Sequence, residues 1–332
     1  MLSTQRPRLL ASSRIHGRTA LIILTAVLAL GASCVSAQPQ QRIHRIGVLN
    51  PGPEVPAAFT RSLRELGHVD GKNINIETRN GDGKADVLPR LVADLVNRKV
   101  SLIVASGPTA IGAVASVTKA IPIVMVGGGD PVLRGFVKTL SVPGSNVTGL
   151  SSSAKGSSGK RLELLKEVFP LLKRVAVLVP RTRTLLSDDL SHAAVVLGID
   201  LQTVDLESAA YLDNALAGIG ALRPGALVTV RELVTLHHAQ QIVDYSLRHR
   251  LPSMYESEEF VRAGGLISYG INYRAQWPRA AIFVDKILKG ANPATLPIEP
   301  PQLELIINLA TARKLGVTIP PEILLEANGV IK

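Results

Sequence analysis

The chain has 332 residues, 46% of them hydrophobic and only 3% aromatic, with a formal net charge of +11. No run of five or more Lys/Arg occurs, and so few aromatics leave little to stack on bases, which argues against a nucleic-acid partner. A single cysteine, Cys34, excludes an internal disulfide and any thiolate metal cluster.

The N-terminus opens with Arg6, Arg8, Arg14 and Arg18 and no acid, then an apolar run from Ala20 to Leu30, then small residues to Ala37. This order predicts a secretory signal peptide over 1–37, cut after Ala37, and hence a periplasmic location. The apolar core is about half the roughly 20 residues that span a bilayer. Cys34 offers an alternative, lipid attachment after a cut just before it. Gly31-Ala32-Ser33 lacks the Leu wanted three positions upstream, which favours the cut after Ala37.

Beyond the leader, short apolar runs alternate with amphipathic stretches. Arg45–Asn50 reads as a buried strand, Ala57–Leu66 as a helix stopped by Gly67, and Asn73–Arg79 as a half-buried strand. Asp86–Asn97 is a helix, Ser101–Ala105 a strand, Pro108–Thr118 a helix and Ile121–Val126 a strand. Leu133–Leu140 closes this set before a short strand at Asn146–Leu150. After the Ser/Gly-rich passage 151–159 the alternation restarts: helix Lys160–Val168, strand Arg174–Val179, helix Leu185–Leu197, strand Asp200–Val204, helix Leu212–Ile219, strand Ala226–Val230, helix Leu236–Arg248. Strands Pro252–Tyr255 and Gly265–Tyr269 follow. The tail adds helix Arg274–Leu288, strand Leu303–Ile307, helix Ala310–Leu315 and a short element after Pro320-Pro321. Continuous apolar strands alternating with helices predict an α/β fold of two doubly wound, Rossmann-like parallel-sheet lobes.

Motifs of catalysis are missing: there is no G-x-S-x-G elbow, no H-E-x-x-H and no Walker loop. Gly127-Gly128-Gly129 lacks the spacing of a dinucleotide loop and runs into Asp130, which would repel a phosphate. His237 and His238 project about 100° apart if helical, a poor arrangement for one metal. No enzyme activity, cofactor or metal is therefore expected. In an open parallel sheet, ligands bind outside the carboxyl ends of the strands. The candidate ligand residues are Asn50, Pro51, Ser106, Gly107, Thr109, Asp130 and Pro131 in the first lobe, and Arg231, Tyr255, Tyr269 and Asn272 in the second. Small residues there admit backbone N–H groups to a ligand, and helix N-termini favour an anionic group. Asp130 or Glu256 would pair with an ammonium, and Tyr255 or Tyr269 would stack on an apolar part.

Ordered blocks then carry a resemblance. Arg45–Asn50 (RIGVLN), Leu63–Gly67 (LRELG) with Gly71–Ile74 (GKNI), Gly129–Val132 (GDPV), Pro143–Leu150 (PGSNVTGL), Lys160–Glu167 (KRLELLKE), Ala263–Gly270 (AGGLISYG), Val284–Gly290 (VDKILKG) and Leu315–Pro320 (LGVTIP) resemble the family of ABC-transporter substrate-binding proteins that includes tryptophan- and tyrosine-binding lipoproteins. The likeness runs from Arg42 to the C-terminus. It implies a type I periplasmic binding fold with three crossings: a first lobe of 45–148 plus about 271–296, and a second of 149–270 plus about 297–332. It implies capture of a small molecule, such as an amino acid or related carboxylate, by hinge closure, and delivery to a permease driven by a cytoplasmic ATPase. Membrane contact would come only through that permease or a lipid anchor at Cys34. A ligand-sensing module for a membrane receptor is the alternative use of the same binding chemistry. Two loops depart from the family pattern. Ser106-Gly107-Pro108-Thr109 stands for a Gly-Thr-Pro loop, and Val230-Arg231-Glu232-Leu233 for a loop containing Asp and Pro.

Overall fold

A computed structural model describes residues 43–50, 56–81, 86–180 and 188–332. The predicted leader, Cys34, Pro51 and the start of the helix expected from Leu185 lie outside these residues. The first set of elements runs β1 (His44–Asn50), α1 (Ala57–Glu65), β2 (Ile74–Asn80), α2 (Leu88–Asn97), β3 (Leu102–Ser106), α3 (Pro108–Val117), β4 (Ile123–Val126) and β5 (Val147–Leu150). The second runs α4 (Ser157–Val168), β6 (Arg174–Pro180), α5 (Asp188–Leu197), β7 (Asp200–Leu206), α6 (Leu212–Leu222), β8 (Ala226–Thr229), α7 (Leu233–His237), α8 (Ala239–Arg248), β9 (Ser253–Tyr255), α9 (Glu258–Arg262) and β10 (Ile267–Ile271). The tail gives α10 (Tyr273–Leu288), β11 (Leu303–Asn308), α11 (Leu309–Leu315), α12 (Pro321–Glu326) and β12 (Gly329–Ile331).

Strands β1 to β5 form one sheet in the order β2-β1-β3-β4-β5, parallel throughout. Alternation along β1 explains its two covered faces. Ile46 and Val48 pack with Phe59 and Leu63 of α1 and with Ala280, Phe283 and Val284 of α10. Leu49 points the other way, into a cluster with Val92 and Leu95 of α2 and Ile111 of α3. The second sheet has seven strands, ordered β12-β11-β10-β9-β8-β6-β7. It too is covered on both faces, one cluster drawing on α4 and α5 and the other on α6, α8 and α9. Periodic apolar runs buried on both sides are what parallel sheets require.

Four departures from expectation stand out, the first two set by chain path. Strand β11 runs antiparallel to β10, with Ile267 opposite Ile307, because the chain returns to this sheet from the α10 side. A last strand, β12, pairs parallel to β11 and was not expected. The helix predicted over Leu236–Arg248 is two helices, broken at His238 (φ −107°, ψ 20°). Segment 133–140 forms turns rather than a regular element.

Helix α10 follows β10 of the second sheet in sequence yet packs against α1 and the first sheet's core. The chain therefore passes between the sheets after β5, at Ile271–Asn272, and again before β11. Hydrogen bonds zip these crossings together. The Ser151 N–H donates to Glu299 C=O at 2.9 Å, the Glu299 N–H to Gly149 C=O at 2.9 Å, and the Asn272 N–H to Gln302 C=O at 2.9 Å.

Candidate functional site

The carboxyl ends of the parallel strands bring most of the predicted residues to one edge of each sheet. In the first sheet, Ser106 and Gly107 end β3 and open α3. Gly107 holds φ +82°, a conformation that favours glycine, and its N–H donates to Val126 C=O at 3.0 Å, tying this loop to the end of β4. Pro108 fits the first turn of α3, whose N-cap carries no side-chain hydrogen bond. Thr109 is exposed beside it, and Asn50 is buried at the end of β1.

Asp130 is bound within the fold. Its Oδ1 accepts from the Val132 and Leu133 N–H groups at 3.0 and 3.1 Å, and Oδ2 pairs with Lys155 at 3.1 Å. The Leu133 N–H and then Lys155 hold its carboxyl below the usual aspartate range. It closes a turn, and an ammonium reaching it would compete with Lys155. Pro131 is buried, and its C=O accepts from Phe136 and Val137 N–H, so it too faces inward. Ser151 and Ser152, not anticipated, brace this loop: Ser151 Oγ donates to Gly129 C=O, and Ser152 Oγ accepts the Gly129 N–H at 2.8 Å.

The second sheet's edge is organised by a buried ion pair. Arg161, on α4, is 4% exposed; it donates to Glu256 Oε1 at 2.6 Å, to Ser158 Oγ at 2.8 Å and to Tyr269 C=O at 2.9 Å. Glu256 Oε2 in turn accepts the Arg231 N–H at 3.0 Å. One guanidinium and one carboxylate thereby tie together the ends of β8, β9 and β10. Glu256 is committed to this pair, which corrects the expectation that it awaits an ammonium. Gly270 permits the close approach of β10 to this corner, since a Cβ there would collide with Glu256 C=O. The sequence does hold a signal for Arg161. It stands at i on a stripe with Leu164, Leu165 and Val168 at i+3, i+4 and i+7, a cation on an otherwise apolar face.

Tyr255 departs from its expected place as well. Its ring is wholly buried and stacks on Phe260 at 4.7 Å, in the core rather than at the cleft. Burial also pushes its phenol up to about 12. Tyr269 is half-buried, packed against the other core cluster. Asn272 caps α10, accepting from the Ala275 N–H at 2.9 Å and donating to Glu304 at 2.6 Å, so its amide is engaged in structure. Arg231 stays at the edge, with its guanidinium carbon 3.8 Å from the centre of the Tyr273 ring. Arg274 Nε meets Glu258 at 2.7 Å on the same flank.

A cavity of about 520 Å³ lies beside the crossings, lined by Ser62, Leu66, Leu150, Pro278, Ile282 and Pro301 among others. Of the predicted residues Asn272 alone reaches it, while Leu150 and Ser151 bring the end of β5 to its wall. Among the described residues, no group of three His, Cys, Asp or Glu is placed to hold a metal, and no helix is long and apolar enough to cross a membrane.

With this geometry in place, comparison with known proteins becomes specific. A protein named "Tyrosine-binding protein" from Clostridioides difficile (strain R20291) is 26% identical over 264 residues, covering 78% of this chain and 75% of its own length. A conserved domain protein from Vibrio cholerae O1 biovar El Tor is similar in structure at a TM-score of 0.74 with 25% identity, across 87% of this chain and 100% of its own. A Streptococcus pneumoniae ABC domain solved in complex with L-Trp shares the fold at a TM-score of 0.73 with 24% identity, over 87% of this chain and all of that one. The family described as ABC transporter substrate binding protein matches residues 54–331, from just after β1 to the last strand and through all three crossings, and this chain belongs to that family.

Proposed function

We propose that the chain is the extracytoplasmic solute-binding component of an ABC importer. It captures an amino acid or related carboxylate between its two lobes by hinge closure, and delivers it to a membrane permease. The observation that carries this reading is the family match over residues 54–331 on an architecture of two α/β sheets linked by three zipped crossings. That arrangement leaves the loops at the strand ends free to approach one another, with the crossings as the hinge. The relatives support the class of solute, since one is named for tyrosine and another was solved with L-Trp bound. They are binding proteins, and this chain acts in the same way rather than as an enzyme.

The test is binding by the exported chain. Mass spectrometry of small molecules copurifying with native protein, followed by thermal denaturation with each amino acid and simple carboxylate, should identify at least one that stabilises it. At a hundredfold excess over Kd the gain is roughly 2.7 kcal/mol, enough for a rise of several degrees in Tm. No shift with any member of the panel would remove the proposal.

A further inference from the structure

Three acids near the strand ends, Asp130, Glu256 and Glu258, are committed. Asp130 holds two backbone N–H groups and Lys155. Glu256 is paired with buried Arg161. Glu258 takes both Arg262 and Arg274 at 2.7 Å. An ammonium seeking Asp130 or Glu256 would have to displace an existing cation, in the second case a buried one.

Arg231 stands in the opposite condition. Its backbone is fixed by Glu256, and its guanidinium lies on the face of Tyr273, the first residue of α10 after the second crossing. A guanidinium stacked on a ring keeps its N–H edge available and loses little freedom when that edge is used. Its Nε is buried and has no hydrogen-bond partner among the described residues. The acid paired with it there, Glu259, is 40% exposed and 3.7 Å from Nη2, too far for a hydrogen bond. The fork of donors matches one chemical group above others, a carboxylate held bidentately.

We infer that Arg231 is the specificity-determining residue that receives the solute's carboxylate, and that the site binds carboxylates without requiring an α-ammonium group. This rests on the solute-binding reading above and narrows it. A 2-oxo, 2-hydroxy or unsubstituted carboxylate then competes with the corresponding amino acid on nearly equal terms.

The experiment uses matched triplets: tyrosine, leucine and glutamate, each with its des-amino acid and its α-decarboxylated amine, titrated calorimetrically into wild type, Arg231→Gln, Arg231→Lys and Tyr273→Leu. In wild type the des-amino acid of the triplet that binds should fall within about threefold of the amino acid, and an amine that keeps no other carboxylate should lose about a hundredfold or more. Arg231→Gln should weaken both α-carboxylates by about ten- to a hundredfold, the range of a hydrogen bond to a charged group, with Lys restoring part. Tyr273→Leu should give a smaller loss of the same pattern, and the ligand-free Tm of each variant separates these effects from misfolding. A purely structural Arg231 would leave the ranking within a triplet unchanged. An amine without any other carboxylate that binds as well as its amino acid, a des-amino acid that is a hundredfold weaker, or an Arg231→Gln protein that binds like wild type overturns the inference while leaving solute binding intact. Failure of every triplet and of every member of the wider panel removes the solute reading and this inference together.

Discussion

Replacing Arg161 with Met tests whether the second sheet's edge is held by its buried ion pair. The side chains of Arg161 and Glu256 are 5% and 13% exposed, so solvent screens their interaction little. Met fills similar space but donates nothing, leaving the Glu256 carboxylate, the Tyr269 carbonyl and Ser158 without this partner. Removing one member of such a pair costs about 3–5 kcal/mol, because the other charge stays buried. For a chain of this size that is a fall in Tm of roughly 10 °C. Arg161→Met with Glu256→Leu removes both charges and leaves the Arg231 N–H, the Tyr269 carbonyl and Ser158 Oγ without these partners, a loss of about 1–3 kcal/mol. Urea denaturation of the two single variants and the double variant then yields a coupling energy of at least about 2 kcal/mol. A single-variant cost below about 1 kcal/mol, or a double variant equal to the sum of the singles, would refute the reasoning.

Two further predictions concern pH. Asp94, Asp130 and Asp285 all titrate below the ordinary aspartate value of 3.8. For Asp94 the cause is the Arg79 hydrogen bond, and for Asp130 the Leu133 N–H; for Asp285, burial raises the value, but Lys289 and His68 outweigh it. Depressed folded values mean their contribution is present above 3.8 and lost as pH falls through the folded values, so Tm should drop on acidification past about pH 4 and Asp130→Asn should flatten part of that drop. Tyr255 supplies the alkaline counterpart: with its phenol raised from 10.0 to about 12, the neutral form stabilises the fold below pH 10, and roughly 3 kcal/mol of that is lost as pH climbs to 12. Tyr255→Phe should remove that part of the alkaline loss, seen as a shallower fall in urea midpoint between those two pH values.

The alternation of buried strands and amphipathic helices was legible because it is a local property. Ile46, Val48 and Leu49 announce two covered faces without reference to any distant residue. The antiparallel β11 was not, since Leu303–Ile307 reads the same in either direction and only the return path through α10 orients it. At the site, position was easier to read than commitment. Asp130 and Asn272 do lie at strand-end loops, but their partners, Lys155 and Glu304, lie 25 and 32 residues away. Tyr255 misled because an aromatic at a strand end serves core and cleft equally well. Its neighbour Phe260, arriving from α9, decides for the core. Arg161 was the reverse case, with its apolar stripe in plain view and its partner Glu256 95 residues on.

These commitments divide unequally between the inside of a lobe and the junction of the two, and the inequality bears on closure. The Arg161–Glu256 pair lies wholly within the second sheet's layer and is buried, so breaking it costs several kcal/mol. The pairs that bridge toward the first sheet's elements are exposed on at least one side. Arg274, at the start of α10, is 63% exposed in its contact with Glu258, and Lys155 is 85% exposed in its contact with Asp130. Pairs of that kind contribute about 0–1 kcal/mol each. A solute that makes one or two charge-assisted hydrogen bonds, worth about 1.5–3 kcal/mol each, exceeds what these bridging pairs resist. It acts first at the junction, where resistance is least. In the closure proposed above, binding energy of that size would move the lobes against each other as units, with the zipped crossings bending between them.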